Sequence, residues 1–91
     1  MQEFLTSESA LILKGLLARY GVTYKELARR LERLGVSENE APLRNKINRG
    51  TFSFSFFLHC MVALGVEDVR FQLRKDPGAV GAAGDAMPTL E

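Results

Sequence analysis

Asn45, Asn48 and Arg49 stand close together in the stretch Leu43-Arg44-Asn45-Lys46-Ile47-Asn48-Arg49-Gly50, and each has two hydrogen-bonding points on one side chain. A carboxamide of this kind fits two edges of adenine, a guanidinium fits two acceptors on guanine, and isolated cations nearby suit phosphates. On a helix advancing about 100° per residue, Ile47 falls beside Leu43 and the two form an anchoring stripe. Ala41, Asn45, Asn48 and Arg49 then fall on the opposite side, where they are candidates for contacts to base edges. Arg44 and Lys46 flank them as candidate phosphate contacts. Upstream, Thr23, Tyr24 and Lys25 open another helix, whose free amides and positive dipole end offer a further anion site. Arg30, on that helix, is the remaining candidate for a phosphate contact.

The charge pattern agrees with this grouping. Net charge is only +1, which by itself argues weakly against a nucleic-acid partner. From Thr23 to Gly50, however, seven basic residues (Lys25, Arg29, Arg30, Arg33, Arg44, Lys46, Arg49) face four acidic ones, leaving five basic and seven acidic elsewhere. Affinity for phosphate follows such local patches and not totals. The bland alternative is that Arg29, Arg30 and Arg33 are only a solvated helix face.

Catalytic parts are lacking. His59 and Cys60 are adjacent but have no companions at metal-ligand spacing and no third group to orient a catalytic pair. They read as ordinary helix residues. No glycine-rich phosphate loop, paired carboxylates or serine–histidine arrangement is present. The expectation is therefore not an enzyme, with no cofactor and no metal.

The elements that position these groups are helices. Residues 1–8 lack a pattern and read as a flexible arm. From about Ser9, Leu11, Ile12, Leu16 and Leu17 recur at helical spacing until Gly21. Thr23-Tyr24-Lys25-Glu26 is a capping box, opening a helix with Tyr24, Leu27, Ala28, Leu31 and Leu34 on one stripe. Gly35 ends it. Asn39 suits the N-cap of a third helix from about Glu40 to Arg49, with Pro42 in its first turn. Ser53 caps a fourth, Phe54 to Leu64, stopped by Gly65. On that helix Phe54, Phe57, Leu58, Met61 and Leu64 read as the inner face. Phe56 points away with His59, Cys60 and Ala63, either covered by the first helix or exposed for a partner.

After Val66 two patterns compete. Val66, Val69 and Leu73 could share a helix face, but Val69 to Arg74 alternates apolar and polar residues, which favours a short strand. A lone strand needs a partner, and a second copy is the obvious one. Phe56, Val69, Phe71 and Leu73 are therefore the expected dimer contacts. Residues 9–75 form the expected domain, and residues 76–91, rich in Gly and Ala, read as a disordered tail.

The stretch Gly21 to Ala28, then Asn48-Arg49-Gly50 and Ser53 to Val66, resembles the helix-turn-helix of the phage-repressor and Cro type of DNA-binding domain. More closely, Leu43 to Ser53 followed by Phe56-Phe57-Leu58 is similar to a bacterial family of small domains of unassigned function. The likeness covers roughly residues 10–70. It implies an all-α, lambda-repressor-like bundle of four to five helices, with the second and third as the pair that reads DNA. In the repressor family the turn glycine follows the alanine of the second helix sooner than Gly35 follows Ala28, so base contacts do not transfer position by position.

These readings lead to a sequence-specific binder of double-stranded DNA, a transcriptional regulator acting as a homodimer with helix 40–49 in the major groove. The rival is a protein-interaction module on the same scaffold, favoured by the near-neutral charge and an apolar Phe56 face. One cysteine, no bilayer-length apolar run and no leader pattern make a reducing cytoplasm the expected setting, without a membrane role.

Overall fold

The computed structural model describes residues 1–73. It is all-helical, with α1 at Gln2–Arg19, α2 at Tyr24–Arg33, α3 at Glu40–Arg49 and α4 at Phe54–Leu64. α1 packs on α3, while α2 packs on both α3 and α4. Among the described residues no helix is long and apolar enough to cross a membrane.

Helix boundaries follow local chemistry. The Thr23 hydroxyl accepts the Glu26 amide at 3.1 Å and the Ser53 hydroxyl accepts the Phe56 amide at 3.0 Å, each satisfying one orphan donor of its helix. Only half of the expected capping box forms at α2. The Glu26 carboxylate turns instead to Arg29 and Arg30, where each bond joins opposite charges. Asn39 occupies the N-cap of α3 but makes no side-chain cap bond.

The expected arm is helix instead. α1 begins at Gln2, seven residues before Ser9. Short hydroxyl side chains fit there by bonding back along the helix, Thr6 to the Glu3 carbonyl and Ser9 to the Leu5 carbonyl. The inner face of α1 also differs from the expected one. Leu13 is fully buried with Ala10, Leu16 and Leu17, while Leu11 is exposed.

The core joins these helices through Leu13, Leu27, Leu31, Leu43, Ile47 and Cys60, all fully buried. α4 is rotated from the expected inner face. Phe56, Phe57, Cys60, Met61 and Leu64 point inward, whereas Phe54 and Leu58 face out. Phe56 is thus 7% exposed, stacked obliquely on Phe52 at 5.7 Å, and cannot be the dimer contact it was expected to be. Residues 66–73 form neither strand nor helix, and no strand among the described residues offers an edge to pair with. Val69 rests against the core, while Phe71 and Leu73 are exposed. Residues 76–91, expected to be a tail, lie outside the described residues.

One approach is unusually close. Gly50, buried and left-handed at the end of α3, faces the α1 backbone, so a Cβ there would run into the Thr6 carbonyl. Gly35 is also left-handed, but open space surrounds it. Gly35→Ala should therefore cost about 1–2 kcal/mol from backbone conformation alone. Gly50→Ala should cost clearly more, on the order of 3 kcal/mol, because main chain must also move. Urea unfolding of both variants checks this; equal losses would mean that α1 does not abut α3.

Candidate nucleic-acid interface

α3 is held by two residues and exposed on most of the others. Leu43 and Ile47, one turn apart, have no accessible surface. Ala41, Asn45, Asn48 and Arg49, the four candidate base contacts, are all exposed. The separation is a consequence of spacing: two buried residues four apart commit one narrow stripe to the core and leave the remainder to water.

The start of α2 lies beside this surface. The Arg44 guanidinium sits over the Tyr24 ring, 5.4 Å from its centre, a cation–π contact that ties α3 to the first turn of α2. Arg44 also bonds Glu40 at 2.8 Å, with both side chains well exposed, so the pair is weak and easily exchanged. Thr23 is occupied as a cap, and Tyr24 is half-buried under Arg44. Lys25 is exposed.

Two candidate phosphate contacts are instead engaged inside the fold. Arg30 Nε donates to Glu26 at 2.9 Å, and its Nη1 donates to the Ala63 carbonyl at 3.2 Å. That carbonyl belongs to the last turn of α4, where orphan acceptors and negative dipole favour a cation. Lys46 Nζ bonds Glu38 at 2.7 Å and stands 4.6 Å from the centre of the Phe56 ring. It thereby pins the turn before α3 to α4. Ala63 for Arg30, and Glu38 and Phe56 for Lys46, come from other segments, so spacing along one helix does not reveal them. Lys25, Arg33 and Arg49 carry no ion pair with another described residue. Arg33, not among the candidate contacts from sequence, is exposed at the end of α2 and joins this unpaired set.

Glu26 organises the arginine run. A hydrogen bond from Arg30, together with the charges of Arg29, Arg30 and Arg33, holds its carboxyl below the usual range, against some desolvation that acts the other way. The acid therefore keeps its charge, and its link to the arginines fades only as pH falls through that depressed value.

Cys60 and His59 part company. Cys60 is fully buried and desolvation pushes its thiol up to about 12, which removes the thiolate that nucleophilic chemistry requires. His59 is exposed, its Nδ1 3.0 Å from the Ser55 carbonyl oxygen. Among the described residues no group of three or more His, Cys, Asp or Glu could hold a metal ion.

Lys46→Met should lower stability by about 1–2 kcal/mol in urea unfolding, because it strands the largely covered Glu38 carboxylate. Lys25→Met should stay within about 0.5 kcal/mol of the parent. Equal effects would contradict the internal role of Lys46. Cys60 should resist an aromatic disulfide reagent at pH 8 in the folded chain and react at once in denaturant. Because its folded pKa is raised, burial of the neutral thiol contributes stability that is complete below about pH 9 and declines as pH rises towards 12. Fast reaction in the native state would contradict that burial.

No curated protein and no solved structure matches the chain. A family model does: residues 6–69 match the domain of unknown function DUF6471. That span takes in all of α2, α3 and α4 and most of α1, and the chain belongs to the DUF6471 family.

Proposed function

We propose that this chain binds double-stranded DNA by setting the outward face of α3 into the major groove, as a regulator that works as a homodimer. The observation that carries the reading is the division of α3. Its two large apolar residues, Leu43 and Ile47, are wholly inside, and its carboxamides and terminal guanidinium are exposed. Asn45 and Asn48 suit adenine edges, Arg49 suits guanine, and Ala41 is small enough to meet a thymine methyl. Lys25 at the start of α2, Arg33 at its end and Arg44 beside Tyr24 supply cations for phosphates on either side. The likeness of Gly21 to Ala28 and Asn48 to Gly50 to the phage-repressor helix-turn-helix supports the same docking mode. A dimer follows from the size of the surface, since one ten-residue helix makes few contacts and two half-sites multiply both affinity and specificity.

A second reading has its own support. Arg30 and Lys46 are committed internally, which thins the cationic surface, and large apolar side chains stand exposed on α4. A protein-interaction module on the same scaffold would have these features. Retention on heparin at low salt, lost as salt rises, favours DNA; indifference to heparin favours a protein partner.

Fluorescence anisotropy with duplexes selected from random sequence tests the main reading. Arg49→Ala and Asn48→Ala should each cut discrimination between selected and scrambled duplex by about 1–3 kcal/mol. Lys25→Ala should weaken both duplexes alike and reduce the salt slope by about 1. Unchanged discrimination in both α3 variants would remove α3 as the reading element.

A further inference from the structure

α4 has no Asp, Glu, Lys or Arg along its eleven residues. Its inner stripe is used by the core, yet its outer side, beside the exposed Ser55 and His59, carries a second apolar stripe. Phe54, Leu58 and Val62 are 70%, 46% and 63% exposed at i, i+4 and i+8. These three alone leave on the order of 300 Å² of side chain in water, the size of the largest apolar patch on a typical monomer, which is often functional. Phe54 also borders a groove of about 390 Å³ walled by Leu5, Phe57, Phe71 and Leu73, so stripe and groove form one apolar surface.

The geometry points to a second copy of this chain as the occupant, with the two α4 helices crossing antiparallel at Leu58. The inference deepens the homodimer part of the proposed function and rests on it. It does not depend on DNA. Three observations favour a copy over another partner. The stripe is symmetric about Leu58, so a two-fold axis there sets Phe54 of one copy against Val62 of the other, large against small. Each copy contributes an i±4 ridge, and two such ridges interdigitate at the commonest helix crossing angle of about −50°. The helix has no formal charge, so a copy brings no like-charge repulsion, and antiparallel contact sets each helix N-terminus near the other's C-terminus. With Leu5, Phe71 and Leu73 added, each copy offers on the order of 600 Å², the lower end for a specific but exchangeable dimer. Phe71 and Leu73 thus join the interface as a rim, without the strand pairing that sequence alternation indicates.

Sedimentation equilibrium of the full chain without DNA tests this. The parent should dimerise reversibly. Phe54→Lys and Val62→Glu should each weaken self-association at least about ten-fold, and an equimolar mixture should recover most of it, because residue 54 of one copy then meets residue 62 of the other. Circular dichroism confirms folding, and Leu58→Glu replaces either variant that fails to fold, with loss of the dimer as its expected result. A parent that stays monomeric at several hundred micromolar would overturn the proposal. So would variants that dimerise like the parent, or a mixture no better than its components. A monomeric parent that still discriminates duplexes would sink this interface alone, and a normal dimer indifferent to DNA would sink only the DNA reading.

Discussion

The anchoring of α3 by Leu43 and Ile47 is the constraint on which the functional surface depends. Both side chains are fully buried, and burial of residues of this size contributes roughly 2–3 kcal/mol each. Rotating α3 by even one residue would exchange an anchor for a charged or amide group and expose apolar surface. Three neighbours lock the same orientation. Gly50 lets the Thr6 region of α1 close against the end of the helix. Arg44 over Tyr24 fixes its position against α2, and Lys46 ties it through Glu38 and Phe56 to the turn and to α4. α3 is a short helix, too short to be stable alone, and its neighbours hold it in place.

Positive charge in the central segment divides by partner, with Arg29 and Arg44 in exposed pairs along their own helices. Arg30 and Lys46 close the helices onto one another, with a carboxylate and either a carbonyl or a ring as counterpart. Lys25, Arg33 and Arg49 stand without an ion pair to any described residue. The excess of cations between Thr23 and Gly50 is thus partly structural, and any field that steers an anionic partner comes from the exposed cations, Arg44 included. This is consistent with a chain whose net charge is only +1.

Helix ends were the most legible part of the sequence, because caps and glycine stops are local signals. Thr23, Ser53, Gly35 and Gly50 sit where their chemistry requires. α3 was legible for a related reason: its two large apolar residues stand among charged and amide groups, so periodicity is unambiguous. α4 was not. Nearly every residue in it is apolar, so no pattern distinguishes Leu58 outside from Cys60 inside, and packing against α2 decides. The start of α1 was missed because its hydroxyls and acids look like a loop until they bond back along a helix. The alternation from Val69 to Arg74 reads as a strand, but alternation states a preference and supplies no partner. Arg30 and Lys46 could not be assigned, since Ala63 and Phe56 reach them only through the fold.

The central claim concerns which surface meets DNA, and amide chemical shifts report on it residue by residue. Duplex selected from random sequence would be titrated into nitrogen-labelled protein at moderate salt. The account predicts the largest shifts at Ala41, Asn45, Asn48, Arg49 and the first turn of α2, with Phe54, Leu58 and Val62 unmoved. Shifts centred on α4, or none at all at saturating duplex, would contradict it.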